Sequence, residues 1–174
     1  MNKLIDIVKD LAYIGHEGQF RRGPKHTPYI EHPKAVVEKL EDWGITNDVI
    51  LAAAWAHDLL EDTDIDEQDI IDAIDDENKS FKVLSLVKSL TYDSSKWNSK
   101  SDWLKYIAAN ESLSVKYIKA ADRYCNTIDF CEAGRYKKAK SYLLDAWSII
   151  EEISRRNMKA KTDFELLVDE IDAE

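Results

Sequence analysis

Cysteine is nearly missing from this chain, with Cys125 and Cys131 the two among 174 residues. That excludes a scaffold held by disulfides, and their separation matches no metal-ligand spacing. Glycine (5) and proline (3) are scarce too, which argues against a turn-rich β-sandwich and against a disordered chain. No apolar run approaches the roughly 20 residues of a membrane span, so no membrane partner is expected. The opening Met1-Asn2-Lys3-Leu4-Ile5-Asp6 meets charge too early to read as a signal peptide. These features set the expectation of a reducing, cytoplasmic location. Positive charge is also in short supply, 24 Lys and Arg against 34 Asp and Glu, for a formal net charge of −10. Duplex nucleic acid is therefore not expected as a partner, because neutralising its phosphates requires a basic face.

What is present describes an ordinary globular protein: 44% hydrophobic and 33% charged residues. The length fits one domain spanning 1–174 with a core of its own. Charge is unevenly spread. Between Gly18 and Lys34 lie Arg21, Arg22, Lys25 and Lys34 against Glu31 alone, whereas Glu61 to Lys79 holds ten acidic residues and one lysine. An acidic protein with one basic patch suits a small anionic ligand better than a polymer.

The apolar period is helical nearly throughout. Leu4, Val8, Leu11 and Ala12 form a first stripe that stops near Gly15 and Gly18. Ala35, Val36, Val37 and Leu40 form a second, ending before Gly44. Thr46 or Asn47 can cap a third helix, which runs into His57-Asp58. Further helices are expected around 67–74, 80–90, 101–109, 113–128, 136–157 and 162–171. The fold expected is an all-α orthogonal helical bundle, with packing helices over 135–174. Two loops interrupt it: Gly18 to Pro33, which holds all three prolines and delivers His32, and the polar Tyr92 to Ser101, with Lys96, Trp97 and Lys100. Trp97 offers a ring that could cover a purine.

The run Trp55-Ala56-His57-Asp58-Leu59-Leu60-Glu61-Asp62-Thr63 concentrates chemistry at the end of an alanine-rich, apolar helix. Burying charge there is costly unless something pairs with it. Neighbours on a helix diverge by about 100°, so His57 and Asp58 converge only on an object at the helix edge. A divalent metal reconciles the two. His32 and Asp122 are candidate further ligands. Asp122 lies in the apolar stripe Val115, Ile118, Cys125, where a carboxylate is unusual unless paired or metal-bound. Lys119 and Asn126 stand one turn to either side of it. Glu61 and Asp62, a turn beyond the histidine, can orient an attacking water or take its proton. Arg21 and Arg22 can grip phosphate with guanidinium forks. Each residue also has a plain reading, as a core histidine, a capping or paired aspartate, or a solvated charge. Four mixed N/O donors from three segments make the joint case for a metal. A calcium loop from Asp62 fails, because Glu67 replaces the needed glycine and Ala73 the closing glutamate. His16 reads as structural, holding a helix end, and His26 as exposed.

These residues resemble the HD-domain metal-dependent phosphohydrolases, and among them the hydrolase domain of RelA/SpoT proteins and the small stand-alone SpoT homologues. His16-Glu17-Gly18-Gln19-Phe20-Arg21-Arg22 is similar to the first basic motif of that family, and Thr27-Pro28-Tyr29-Ile30-Glu31-His32-Pro33 to its "PYI-x-HP" segment. His57-Asp58-Leu59-Leu60-Glu61-Asp62-Thr63 matches "HDxxEDT". Leu86-Val87 through Leu90-Thr91 is similar to "LV-x-x-LT", and Ile118 to Asp129 to the "K-x-AD-x-x-x-N-x-x-D" helix. The resemblance covers roughly residues 12 to 130. The chain departs from the pattern at Arg21-Arg22, where Arg-Lys is common, and over Asp93 to Lys105.

The resemblance implies an HD-type fold in which His32, His57, Asp58 and Asp122 bind one metal ion, usually manganese (Mn²⁺). It implies that Glu61 and Asp62 activate or place water, and that Arg21, Arg22, Lys119 and Asn126 serve substrate binding. The family substrate is ppGpp or pppGpp, the alarmone of the stringent response, cleaved at its 3′ position to pyrophosphate and GDP or GTP. Three other readings compete: the same site acting on another nucleotide (a 5′-nucleotidase or an NADPH phosphatase), a nucleotide sensor without turnover, and a helical interaction protein with no site. A pure sensor has no need of the Glu61-Asp62 pair. An interaction protein predicts that Asp122→Ala changes stability but not metal content.

Overall fold

A computed structural model of the chain describes residues 3–21 and 26–174. Arg22, expected to contact substrate, lies outside them. Among the described residues the structure is all-helical apart from one isolated antiparallel bridge, Phe20 to Pro28. It divides into two compact units, Met1–Tyr92 and Asp93–Glu174. The boundary falls inside the motif-bearing region, so the sequence motifs are distributed over both units.

The first unit contains α1 (Lys3–Gly15), α2 (Glu31–Asp42), α3 (Asp48–Trp55), α4 (Leu59–Asp62), α5 (Glu67–Ala73) and α6 (Glu77–Leu90). Helix α3 is central, packing against α1, α2 and α6. Leu51, Ala52, Ala53, Ala54 and Trp55 are all buried, and the small alanine side chains let several helices approach one axis. Asn47 starts it: its side chain accepts from the N–H groups of Val49 (3.0 Å) and Ile50 (3.2 Å), satisfying donors that the first turn leaves open. Helix α2 ends where Gly44 takes φ +82°, so that its N–H reaches Glu41 O (2.9 Å) and that of Ile45 reaches Leu40 O (3.0 Å). Such a C-terminal reversal needs the left-handed conformation that glycine adopts without strain.

Gly15 has a different duty. A Cβ there would lie 2.6 Å from Leu59 Cδ2 and 3.1 Å from Ile65 Cγ1. The bare backbone lets the end of α1 press against the segment that follows His57 and Asp58. Leu59 itself is fully buried.

The second unit contains α7 (Lys100–Asn110), α8 (Leu113–Glu132), α9 (Tyr136–Asp145), α10 (Trp147–Arg156) and α11 (Met158–Asp172). Helix α8 packs against each of the other four. Its buried positions include Val115, Ile118, Ala121 and Asp122. No described helix is long and apolar enough to cross a membrane.

Three local features differ from the sequence expectation. The helix expected over 136–157 is two, α9 and α10, because the backbone turns at Ala146 (φ −109°, ψ 13°). The apolar stripe Ala139, Leu143, Ala146, Ile149, Ile150, Ile153 runs unbroken through that turn, all of it buried, so the periodicity carries no sign of it. His32, expected on a loop, sits in the first turn of α2. Pro33 follows it there because a first-turn residue forfeits no intrahelical bond by lacking an N–H. The third helix stops at Trp55, so His57 and Asp58 form a turn between α3 and α4 rather than a helical edge.

Candidate metal centre and its surroundings

The α3–α4 turn is what aims the HD pair. Ala56 closes α3 with its N–H on Ala52 O (3.2 Å), and the N–H groups of Glu61 (3.2 Å) and Asp62 (2.9 Å) both donate to Asp58 O. The acidic pair is thus anchored by backbone to the residue that presents the carboxylate. Thr63 ends α4: its hydroxyl donates to Leu59 O (2.8 Å) and accepts from Ile65 N–H (3.0 Å).

His57 Nδ1 lies 2.7 Å from Ala54 O. A carbonyl oxygen only accepts, so Nδ1 carries the proton and Nε2 presents a lone pair. That lone pair meets Asp58 Oδ2 at 3.1 Å, and His32 Nε2 lies 3.7 Å from the same oxygen. The two histidine side chains are 0% and 2% exposed, Asp58 17%. Electron-rich atoms converging in so dry a site repel unless a cation lies among them. Two imidazole nitrogens and a carboxylate oxygen, with ligand atoms within 4.8 Å of one another, are a donor set that fits a divalent ion. The carbonyl behind His57 supplies the outer support that fixes a ligating imidazole.

Around this group stands a polar frame. The Tyr29 hydroxyl lies 2.7 Å from Asp58 Oδ2 and 2.9 Å from Asp62 Oδ2. Burial, followed by the negative charges of Asp58 and Asp62, holds this phenol well above its ordinary range, so it stays a proton donor. Gln19 Nε2 donates to Asp62 O (2.8 Å), and Tyr92 N–H donates to Glu61 Oε2 (3.1 Å). Glu61 and Asp62 are themselves exposed, open to solvent. Arg21 stands with its guanidinium 5.5 Å from the Tyr29 ring centroid. His16 is buried and stacks on Tyr29, centroids 4.5 Å apart, while exposed His26 stacks on Phe20 at 3.8 Å.

In the second unit Asp122 is buried, and its side chain is 7% exposed. One carboxylate oxygen accepts from Lys119 Nζ (3.0 Å) and the other from Asn126 Nδ2. Lys119 is equally buried and lies 4.8 Å from the Trp103 ring centroid. The structure therefore places Lys119 and Asn126, both expected at the substrate, against the Asp122 carboxylate. A buried charge needs such partners, and i−3 and i+4 are the positions on a helix that can provide them.

The structure brings together His32, His57, Asp58, Glu61, Asp62 and Arg21 in the first unit, and Lys119, Asp122 and Asn126 in the second. Sequence reasoning missed Tyr29, Gln19 and Thr63 as parts of the site. Tyr29 lies within the Thr27–Pro33 motif, and its spacing of three residues before His32 is the available signal.

The fold gathers two histidines and an aspartate at a helix break, the arrangement expected of an HD-type domain. No family model matches the chain. It is 35% identical over 125 residues to the guanosine-3′,5′-bis(diphosphate) 3′-pyrophosphohydrolase MESH1 of Mus musculus, covering 69% of this chain and 65% of that protein. Against the MESH1 of Homo sapiens it is 35% identical over 124 residues, 69% and 65% respectively. A probable guanosine-3′,5′-bis(diphosphate) 3′-pyrophosphohydrolase of Synechocystis is 30% identical over 117 residues, covering 66% of this chain but 15% of that protein. The match thus spans just under two thirds of the MESH1 relatives' own length. Among solved structures, one described as a metazoan ortholog of SpoT that hydrolyzes ppGpp superposes with a TM-score of 0.79 at 25% identity. It covers 96% of this chain and 94% of that one. The chain is similar in sequence to MESH1 proteins over about two thirds of its length and shares the fold of the SpoT ortholog over nearly all of it.

Proposed function

We propose that this protein hydrolyses ppGpp and pppGpp, releasing the 3′-pyrophosphate and leaving GDP or GTP. The observation that carries the reading is the dry His32–His57–Asp58 group with Glu61 and Asp62 anchored directly behind it. The homology to MESH1 proteins, named for this reaction, supports it. A water oxygen forms a bond to the phosphorus on the ribose 3′ oxygen, the bond from that phosphorus to O3′ breaks, and O3′ takes up a proton.

In this reading His32, His57 and Asp58 hold one Mn²⁺ ion, with Asp122 assigned as the fourth ligand on its motif and its buried carboxylate. A bound divalent ion supplies Lewis-acid polarisation of phosphoryl oxygens and makes water more acidic. Glu61 and Asp62 then have distinct tasks. Glu61, held by the Tyr92 N–H, is the base that takes the proton of the attacking water; Asp62, held by Tyr29 and Gln19, orients that water. Arg21 meets the pyrophosphate, and Arg22 is assigned beside it. Lys119 and Asn126 set the Asp122 carboxylate, with Asn126 also facing substrate. Phosphoryl transfer is mostly positioning and charge stabilisation, which is what this set of residues can offer. A cytoplasmic setting goes with this proposal, since two cysteines in 174 residues offer no disulfide scaffold.

The test is incubation of purified protein with Mn²⁺ and ppGpp, alongside a panel of other nucleotides, following pyrophosphate and orthophosphate release. Pyrophosphate from ppGpp, lost with chelator and restored by metal, is expected. Orthophosphate from another nucleotide with ppGpp inert would move the activity to a different phosphohydrolase; silence across the panel with metal bound would leave a sensor.

A further inference from the structure

One phenol meets two carboxylates. Tyr29 Oη is 2.7 Å from Asp58 Oδ2 and 2.9 Å from Asp62 Oδ2, and it has a single proton to give. Two like charges brought to one point repel, and a shared donor offsets that repulsion. The ring that carries the hydroxyl is fixed on several sides. It stacks on buried His16 (centroids 4.5 Å apart) and meets the His32 ring edge-on at 6.1 Å. Its own N–H donates to Gln19 O at 2.9 Å. Gln19 faces His16 Nδ1 with Oε1 at 2.9 Å and donates Nε2 to Asp62 O at 2.8 Å. Asp62 is therefore held twice from the same small frame, through its side chain by Tyr29 and through its backbone by Gln19.

We propose that Tyr29 is a positioning residue that clamps the metal-binding carboxylate Asp58 to the water-orienting carboxylate Asp62, tying cation loading to the placement of water. The proposal rests on the metal-hydrolase reading above. Tyr29 answers to the charge on Asp58: a cation held by that carboxylate would make it the poorer acceptor, leaving the phenol proton to Asp62. Asp62 is then fixed by one oxygen while the other stays available to water.

The test compares wild type with Tyr29→Phe, which keeps the ring and its stack on His16. Mn²⁺ affinity is read from the electron paramagnetic resonance of the free ion, and kcat and KM from ppGpp cleavage at saturating Mn²⁺. Loss of an outer-shell partner typically lowers metal affinity or activity by about 10- to 100-fold. Weaker Mn²⁺ binding and a lower kcat in that range are expected, with KM unchanged. In an Asp62→Asn background, Tyr29→Phe should lower kcat no further. Gln19→Ala, which leaves the phenol in place, should leave Mn²⁺ affinity unaltered. Unchanged Mn²⁺ affinity in Tyr29→Phe, or losses that multiply in the double variant, would overturn the clamp. So would a Gln19→Ala protein that binds Mn²⁺ as poorly as Tyr29→Phe. If wild type leaves ppGpp intact, the substrate assignment fails alone, and the Mn²⁺ titrations still decide the clamp.

Discussion

Adding Mn²⁺ should raise the unfolding temperature of this protein, and Asp58→Ala should remove that rise. The folded chain gathers His57 Nε2 and an Asp58 carboxylate oxygen 3.1 Å apart, a donor arrangement the unfolded chain does not reproduce. A ligand held only by the folded state, at about 100-fold over its dissociation constant, contributes about 2.7 kcal/mol. For a chain of this size that corresponds to a shift of about 5–10 °C. The same substitution should matter far less without metal. Tyr29 keeps Asp62 as acceptor at 2.9 Å, so the phenol is not left unpaired, and losing its bond to Asp58 is a net effect of about 1 kcal/mol. Differential scanning calorimetry with chelator and with Mn²⁺, on wild type, Asp58→Ala and Asp122→Ala, reads all of this. The metal-dependent increment should vanish in Asp58→Ala and shrink in Asp122→Ala. An equal Mn²⁺ shift in wild type and Asp58→Ala would refute the reasoning, because the stabilising ion would then sit elsewhere.

Glu61→Gln should keep the Mn²⁺ stabilisation but lower kcat for ppGpp by about 10²-fold or more, the range general-base catalysis supplies; undiminished turnover would remove Glu61 as base. Leu59→Ala should destabilise by about 2–5 kcal/mol in urea melts, because a fully buried leucine leaves a cavity that its surroundings close only in part. Asp93 has its carboxyl pulled down to about 2, first by the Ser95 hydroxyl and then by Lys96. A depressed folded value means that the stabilisation is present above the ordinary carboxylate pKa and is lost as pH falls through about 2. Carboxyl NMR titration should find that low midpoint, and Ser95→Ala should raise it toward the ordinary carboxylate range.

Much of this was legible in the residues. The helix starts followed capping chemistry, as at Asn47, and the helix end at Gly44 followed from the one residue type that turns left-handed without strain. The HD pair and its acidic companions were visible because charge at the end of an apolar, alanine-rich helix demands a partner. What stayed hidden depends on where the backbone turns. The reversal at Ala146 interrupts no apolar stripe, so the pattern reads through it. The first-turn tolerance for Pro33 moved His32 from a loop into α2. Tyr29 stands three residues before His32, but its bridging role is legible only once the chain carries the phenol between two carboxylates. Lys119 drew attention as a cation for substrate, yet its i−3 spacing from Asp122 had already matched it to a buried charge on its own helix.

Gly15 bears no charge and binds nothing, yet it sets a tolerance for everything beyond Asp58. Its missing methyl is the clearance in which Leu59 sits, 2.6 Å from where a Cβ would stand, and Leu59 joins the metal-facing aspartate to the acidic pair. A single added carbon at position 15 would push on that joint from outside the polar site. The placement of the segment after Asp58 is gauged in part by a hydrogen atom on a helix end that no chemical motif would single out.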